Sequence, residues 1–143
     1  EINQQQVPKV GSVSLEEFIN LINISNISYG FMKKGICLGF LICLRENTNY
    51  QSINYKFFQK RHKKFIYIDR IAIANKYQSS GIGSNLYSKL LSIKDKFNIP
   101  ICAEVNIDPP NEVSINFHIK HGFSKITEST IKEGYSVVYM EIE

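Results

Sequence analysis

The stretch from Phe65 to Ala74 (FIYIDRIAIA) is apolar on both faces, the pattern of a strand enclosed within a sheet. It runs into Tyr77-Gln78-Ser79-Ser80-Gly81-Ile82-Gly83-Ser84, and from there Ile82, Leu86, Leu90, Ile93 and Phe97 recur at helical spacing. Few folds accept a buried strand, a two-glycine turn and a helix in that order. The helix must cross back over the sheet, right-handed, to a parallel strand. The turn also leaves backbone N–H groups free at a helix start, where they and the dipole favour a phosphate. Glycine at 81 and 83 removes Cβ atoms that would hold a pyrophosphate off the backbone. Gln78, Ser79, Ser80, Gly81, Ile82, Gly83 and Ser84 are therefore candidates for anion binding, although an ordinary tight turn has the same look. The turn is not a P-loop, which needs Lys-Ser/Thr after the last glycine. Nor is it the full dinucleotide fingerprint, since position 86 is Leu.

The rest of the chain supplies partners for that strand. Ser14-Leu15-Glu16-Glu17 is a capping box opening a helix over about 14–24. Ser28–Met32 and Ile36–Leu44, joined by Lys33-Lys34-Gly35, predict a β-hairpin with Gly35 at positive φ. Residues 45–64 are polar and irregular, ending in Lys60-Arg61-His62-Lys63-Lys64. Charge runs of this kind are most often a solvated face, and Tyr55, Phe57 and Phe58 suggest a short helix or a folded-over flap. So long an excursion is also a candidate lid.

Ile99–Ile107 (IPICAEVNI) alternates as a strand, stopped by Asp108-Pro109-Pro110. Residues 113–121 alternate too, but Asn111 before and Gly122 after look like helix caps, and a helix is expected. Phe123–Thr130 and Tyr135–Glu143 close the chain as a hairpin. The expectation is one α/β (α+β) domain over residues 1–143. Its sheet is mixed and mostly antiparallel, of about six strands with helices on both faces.

Composition narrows the function. Hydrophobic content of 43% and charged content of 21% are globular values, and no apolar run approaches the ~18 residues of a membrane helix. Cys37, Cys43 and Cys102 sit in apolar runs without C-x-x-C spacing, as reduced thiols in a cytoplasmic protein would. A net charge of +4 permits an anionic ligand without demanding nucleic acid. No His/Cys/Asp group has metal-ligand spacing along the chain.

Gln78-x-x-Gly81-x-Gly83 after an apolar strand resembles the acyl-CoA signature of the Gcn5-related N-acetyltransferases (GNAT superfamily). The stretch from Asn111 through Ser114, Phe117 and His118 to Gly122-Phe123 is similar to that family's closing signature. Within the family the chain looks closest to a bacterial branch whose substrate is unassigned. The resemblance covers residues 8–142 and implies an acyl-CoA N-acyltransferase fold, with the sheet splayed between the strands at 65–74 and 99–107. It implies acetyl-CoA in that cleft as donor, an amine acceptor and no metal. The family's first strand and part of its first helix would lie upstream of Glu1. A homodimer is left open.

By the same resemblance, the pantetheine arm bonds the backbone at Ile71, Ala72 and Ile73. The pyrophosphate is held from Gln78 to Ser84, Asn111 bonds the pantetheine and Phe117 packs beside it. Ser79-Ser80 stand where the family often has Gly-Lys or Gly-Arg, so a cation is missing.

Acetyl transfer to an amine needs a deprotonated amine, a polarised thioester carbonyl and a proton for the thiolate. Asp69 matches the catalytic glutamate of the histone-modifying branch. It could instead form an ion pair with Arg61, Arg70 or a nearby lysine, although alternation along a strand argues against Arg70. Glu104 is the rival base. His118 stands where the family usually carries the tyrosine that protonates the thiolate, and imidazole can do that work. The alternative for His118 is a helix histidine bonded to a backbone carbonyl. His121 and His62 are expected to cap a helix end and decorate the flap. The alternatives to an amine acetyltransferase are a non-catalytic acyl-CoA-binding module and an RNA-directed acetyltransferase toxin.

Overall fold

The computed structural model describes residues 1–143. A single helical turn, α1 (Ile2–Gln5), opens the chain and has no counterpart in the sequence reading. In α2 (Leu15–Ile24) the capping box forms in both directions: Glu17 N–H donates to Ser14 Oγ, and Ser14 N–H donates to Glu17 Oε2. The hairpin of β1 (Ile27–Lys33) and β2 (Ile36–Arg45) turns through Lys34 and Gly35, both at positive φ. Next come α3 (Ile53–Arg61), β3 (Ile66–Ile73), a 3₁₀ turn at Asn75–Tyr77, α4 (Ile82–Phe97) and β4 (Ile101–Asp108). The ambiguous segment is helical, as α5 (Glu112–Lys120): Asn111 caps it by accepting from Ser114 N–H, and Gly122 at φ +92 ends it. The hairpin of β5 (Ser124–Lys132) and β6 (Tyr135–Ile142) completes the sheet.

The strand order is β1-β2-β3-β4-β6-β5, antiparallel except for β3 and β4. Those two pair only at Ile66–Ile101 and Tyr67–Cys102. Beyond Tyr67 each follows its outer neighbour, β3 along β2 as far as Gly39–Ile73 and β4 along β6 as far as Asp108–Ser136. The sheet therefore opens into a split.

A bulge in β3 lies at the start of the split. Ile42 of β2 faces Arg70 while its neighbour Cys43 faces Ile68, so Asp69 has no opposite number. Alternation resets there. Ile66, Ile68, Ile71 and Ile73 all contribute to the same core, which places Asp69 and Arg70 together on the opposite side.

Two cores sandwich the sheet. On one face Ile68, Ala103, Val105 and Met140 pack against Leu86 and Leu90 of α4 and Ile115 of α5. On the other, Tyr67, Cys102, Val137 and Tyr139 pack against Leu21 of α2 and Tyr55 and Phe58 of α3. The second core shows what residues 45–64 do. Tyr55 and Phe58 are fully buried, each worth about 2–3 kcal/mol of transfer free energy. That segment forms the short helix its aromatic residues suggest, a wall of the rear core, and its charge run keeps Lys60, Arg61, Lys63 and Lys64 on the solvated outside.

Candidate active site

The split holds a cavity of about 620 Å³, within the range of small-molecule sites. Its wall gathers, from β3, the turn after it, β4 and α5, every residue singled out in the sequence except Ser80. Ser80 instead donates its hydroxyl to the Tyr77 carbonyl.

The turn leaves its donors free. Gly81 is the N-cap of α4, at φ +85 and with no side-chain cap, and the first helical bond is Asn85 N–H to Gly81 C=O at 3.0 Å. The amides of Ile82, Gly83 and Ser84 thus have no intrahelical partner. The two glycines serve different ends. A Cβ on Gly81 would meet nothing, so its backbone angle is what requires glycine; a Cβ on Gly83 would lie 3.2 Å from the Phe117 ring. Ser79 also sits in the left-handed region, at φ +59, where a relative with glycine would be at ease.

Residues 3–11 form a strap that the sequence did not disclose. Gln6 donates to the Ile73 carbonyl at 2.9 Å and to Asn75 Oδ1 at 2.7 Å, and accepts from Gln78 at 2.8 Å. Asn106 on β4 donates to the Pro8 carbonyl at 3.3 Å. The strap is tied to both lips of the split, and it already occupies the Ile73 carbonyl that the resemblance gave to the pantetheine. It also brings Lys9 to the cavity wall, while α5 brings Lys120. Gln6 and Lys9 carry no motif, so only the fold shows them.

The two carboxylates differ. Asp69 is paired with Arg70, contrary to the alternation argument: Arg70 Nε donates to Oδ2 at 2.6 Å, and Tyr50 donates to Oδ1. The bulge is the reason, because it puts neighbouring residues on one side. Both side chains are buried, and Arg70 Nη1 reaches on to Asn3 and the Gly11 carbonyl.

Glu104 Oε1 accepts from Asn54 Nδ2 at 3.1 Å and from the Tyr67 hydroxyl at 3.0 Å, while Oε2 is sealed from solvent without a partner. An orphaned buried oxygen of this kind costs roughly 1–3 kcal/mol and calls for an explanation. Burial first, and then the Asp69 charge, push the Glu104 carboxyl up to about 8.

His118 is closed on both sides. Nδ1–H donates to the Ser114 carbonyl at 2.8 Å, so Nε2 must be the acceptor from the Tyr87 hydroxyl at 2.7 Å. Burial drops its pKa to about 4. Both ring nitrogens are thus engaged within the fold, as expected of a helix histidine bonded to a backbone carbonyl. The Tyr87–Phe117–His121 aromatic cluster packs around it.

The sequence model of the acetyltransferase (GNAT) family matches residues 12–123. The chain belongs to that family. No curated protein matches it significantly. Among solved structures, it is similar to the ribosomal-protein-S18-alanine N-acetyltransferase of Escherichia coli at 17% identity and TM-score 0.72, covering 99% of this chain and 82% of that one. Arabidopsis thaliana Naa50, in complex with the bisubstrate analogue CoA-Ac-MVNAL, gives 20% identity and TM-score 0.73 over 99% and 87%. Ard1 of Thermoplasma volcanium gives 17% and 0.76 over 99% and 85%. At such identities these three speak for the fold. As a GNAT protein the chain is an N-acetyltransferase with acetyl-CoA as its donor.

Behind the acetyltransferase site, His62, Cys102 and Glu141 come within metal-ligand reach of one another, which no spacing in the sequence foretold. Protein groups already complete this cluster. Arg61 grips Glu141 at 2.5 and 2.9 Å, and His62 Nε2 lies 2.7 Å from Oε2. His62 is thus part of an inter-element tie and not a decoration of the surface, and Arg61 holds the Glu141 carboxyl below the usual range. His121 caps α5 through the Phe117 carbonyl, as expected. No helix is long and apolar enough to cross a membrane.

Proposed function

We propose that this acetyltransferase moves the acetyl group of acetyl-CoA to a primary amine by direct attack within a ternary complex, with Glu104 as the base. One observation carries the reading: a carboxylate with one oxygen unpartnered, poised near neutral pH, lies across the split from the free edge of β3. The pantetheine amides add to that edge around Ile71 and Ala72 as an extra strand. The pyrophosphate meets the free amides at the start of α4, with Lys9 and Lys120 as counter-charges.

The acceptor arrives as an ammonium ion. Its N–H bond breaks and the proton passes to Glu104, leaving the lone pair on nitrogen to attack the thioester carbon. The tetrahedral adduct collapses with cleavage of the C–S bond, whose electron pair goes to sulfur. The nitrogen loses its second proton as the sulfur gains one. Asp69 holds Arg70 and, through it, the strap.

Thiol release from acetyl-CoA across a library of primary amines tests the reading. Glu104→Gln is expected to abolish release with every amine that the wild type accepts, while calorimetry shows acetyl-CoA still bound. Binding without release on any amine would favour a non-catalytic acyl-CoA module.

A further inference from the structure

We propose that Asn54, Tyr67 and Tyr139 give the two oxygens of Glu104 separate tasks: Oε1 is held as an acceptor, and the proton of the carboxyl group is confined to the buried Oε2. This deepens the reading of Glu104 as the base and rests on it. Oε1 receives two donors, the Tyr67 hydroxyl at 3.0 Å and Asn54 Nδ2 at 3.1 Å. An oxygen filled by two donors has no room for a third hydrogen. Oε2 has none.

The Asn54 amide could in principle turn its oxygen to Glu104, and that would invite a proton onto Oε1. The ionised carboxylate only accepts and so calls for Nδ2, while Oδ1 on the far side of the amide accepts from the Tyr139 hydroxyl at 3.0 Å. Asn54 is itself buried on α3, whose place against the sheet is fixed by Tyr55 and Phe58. Asn54, Tyr67 and Tyr139 are therefore positioning residues. The remaining titratable groups facing Glu104 are Asp69 on β3, Tyr50 before α3 and Tyr135 on β6. Asp69 raises the Glu104 pKa by its charge, whereas Tyr67 and Asn54 are the groups that lower it by hydrogen bonding.

The test reads Glu104 directly in the intact protein and needs no acceptor. The NMR signal of its side-chain carboxyl carbon, assigned by its loss in Glu104→Gln, is followed with pH. Tyr67→Phe and Asn54→Ala each remove a bond to the ionised form, and their midpoints are expected to rise by about one unit. Tyr139→Phe acts only through Asn54 and should give a smaller rise. Tyr55→Phe removes a hydroxyl from the same core, one bonded to the Arg45 carbonyl and Thr48 N–H, and should leave the midpoint unmoved. Should Asn54→Ala fail to fold, Tyr67→Phe, which keeps its packing, carries the test. Unmoved midpoints in Tyr67→Phe and Asn54→Ala overturn the proposal. So does a shift in only one of them, or an equal shift in Tyr55→Phe. Failure of the base reading shows elsewhere, as full turnover in Glu104→Gln.

Discussion

Asp69 and Glu104 sit on opposite lips of the same split, both turned toward the rear core. Their neighbours make them different instruments. Asp69 has both oxygens filled, by Arg70 and Tyr50, and is locked into the strap through Arg70. Glu104 has one oxygen filled by neutral donors and one bare, with no cation against it. A paired carboxylate holds structure, whereas an unpaired one in a dry site holds a proton near neutrality. The lesson is that the partner decides the role, and the strand position does not.

The largest expected effect divides the two lips. Glu104→Gln should lower turnover by on the order of 10²–10⁴-fold with acetyl-CoA affinity unchanged. Asp69→Asn leaves Arg70 buried without its anion and should cost about 3–5 kcal/mol in urea unfolding, while turnover per folded molecule falls far less. The reverse outcome, a dead but stable Asp69→Asn, breaks the comparison.

The second test uses pH. The Glu104 carboxyl is raised from its ordinary 4.5 to about 8 in the folded chain, so between those values the native state holds a proton that the unfolded state has lost. Its contribution to stability is present in full at the low end and is lost as pH rises through the folded value. Glu104→Gln should therefore flatten the decline in stability seen by urea unfolding from about pH 5 to about pH 8. An unchanged slope would mean that Glu104 ionises normally. In wild type the turnover should rise over the same interval as Glu104, the proposed base, loses its proton.

A smaller effect concerns the floor of the cleft. Gly83→Ala sets a Cβ against the Phe117 ring and should cost about 1–3 kcal/mol. Phe117→Leu in the same chain should return part of that by giving the methyl room. Additive losses in the double variant would show that the two do not touch. The smallest effect is a gain. Ser79→Gly removes the left-handed penalty at φ +59 and should stabilise the fold by about 1 kcal/mol, measurable as a modest rise in Tm.

Much of this molecule was legible in order along the chain because its backbone elements obey local rules. The capping box at Ser14, the two-sided apolar run of β3 and the glycine turn before α4 each state their conformation within a few residues. The half of the cleft proposed for acyl-CoA was readable for the same reason, since it is made largely of main-chain groups placed by that strand and that turn. In residues 45–64 the aromatic residues mark the short helix and the charge run its solvated side, but only a sheet face to receive them decides that Tyr55 and Phe58 are fully buried.

Side-chain chemistry needed the folded chain. The sequence alone determined where the backbone would offer donors, and that carboxylates at 69 and 104 would stand near them. Only the tertiary structure decided that a bulge turns Arg70 onto Asp69, that Tyr87 and the Ser114 carbonyl engage both ring nitrogens of His118, and that Asn54 reaches Glu104 from fifty residues away. A pKa is set by desolvation and by groups within a few ångströms, and those groups come from segments that the sequence keeps apart.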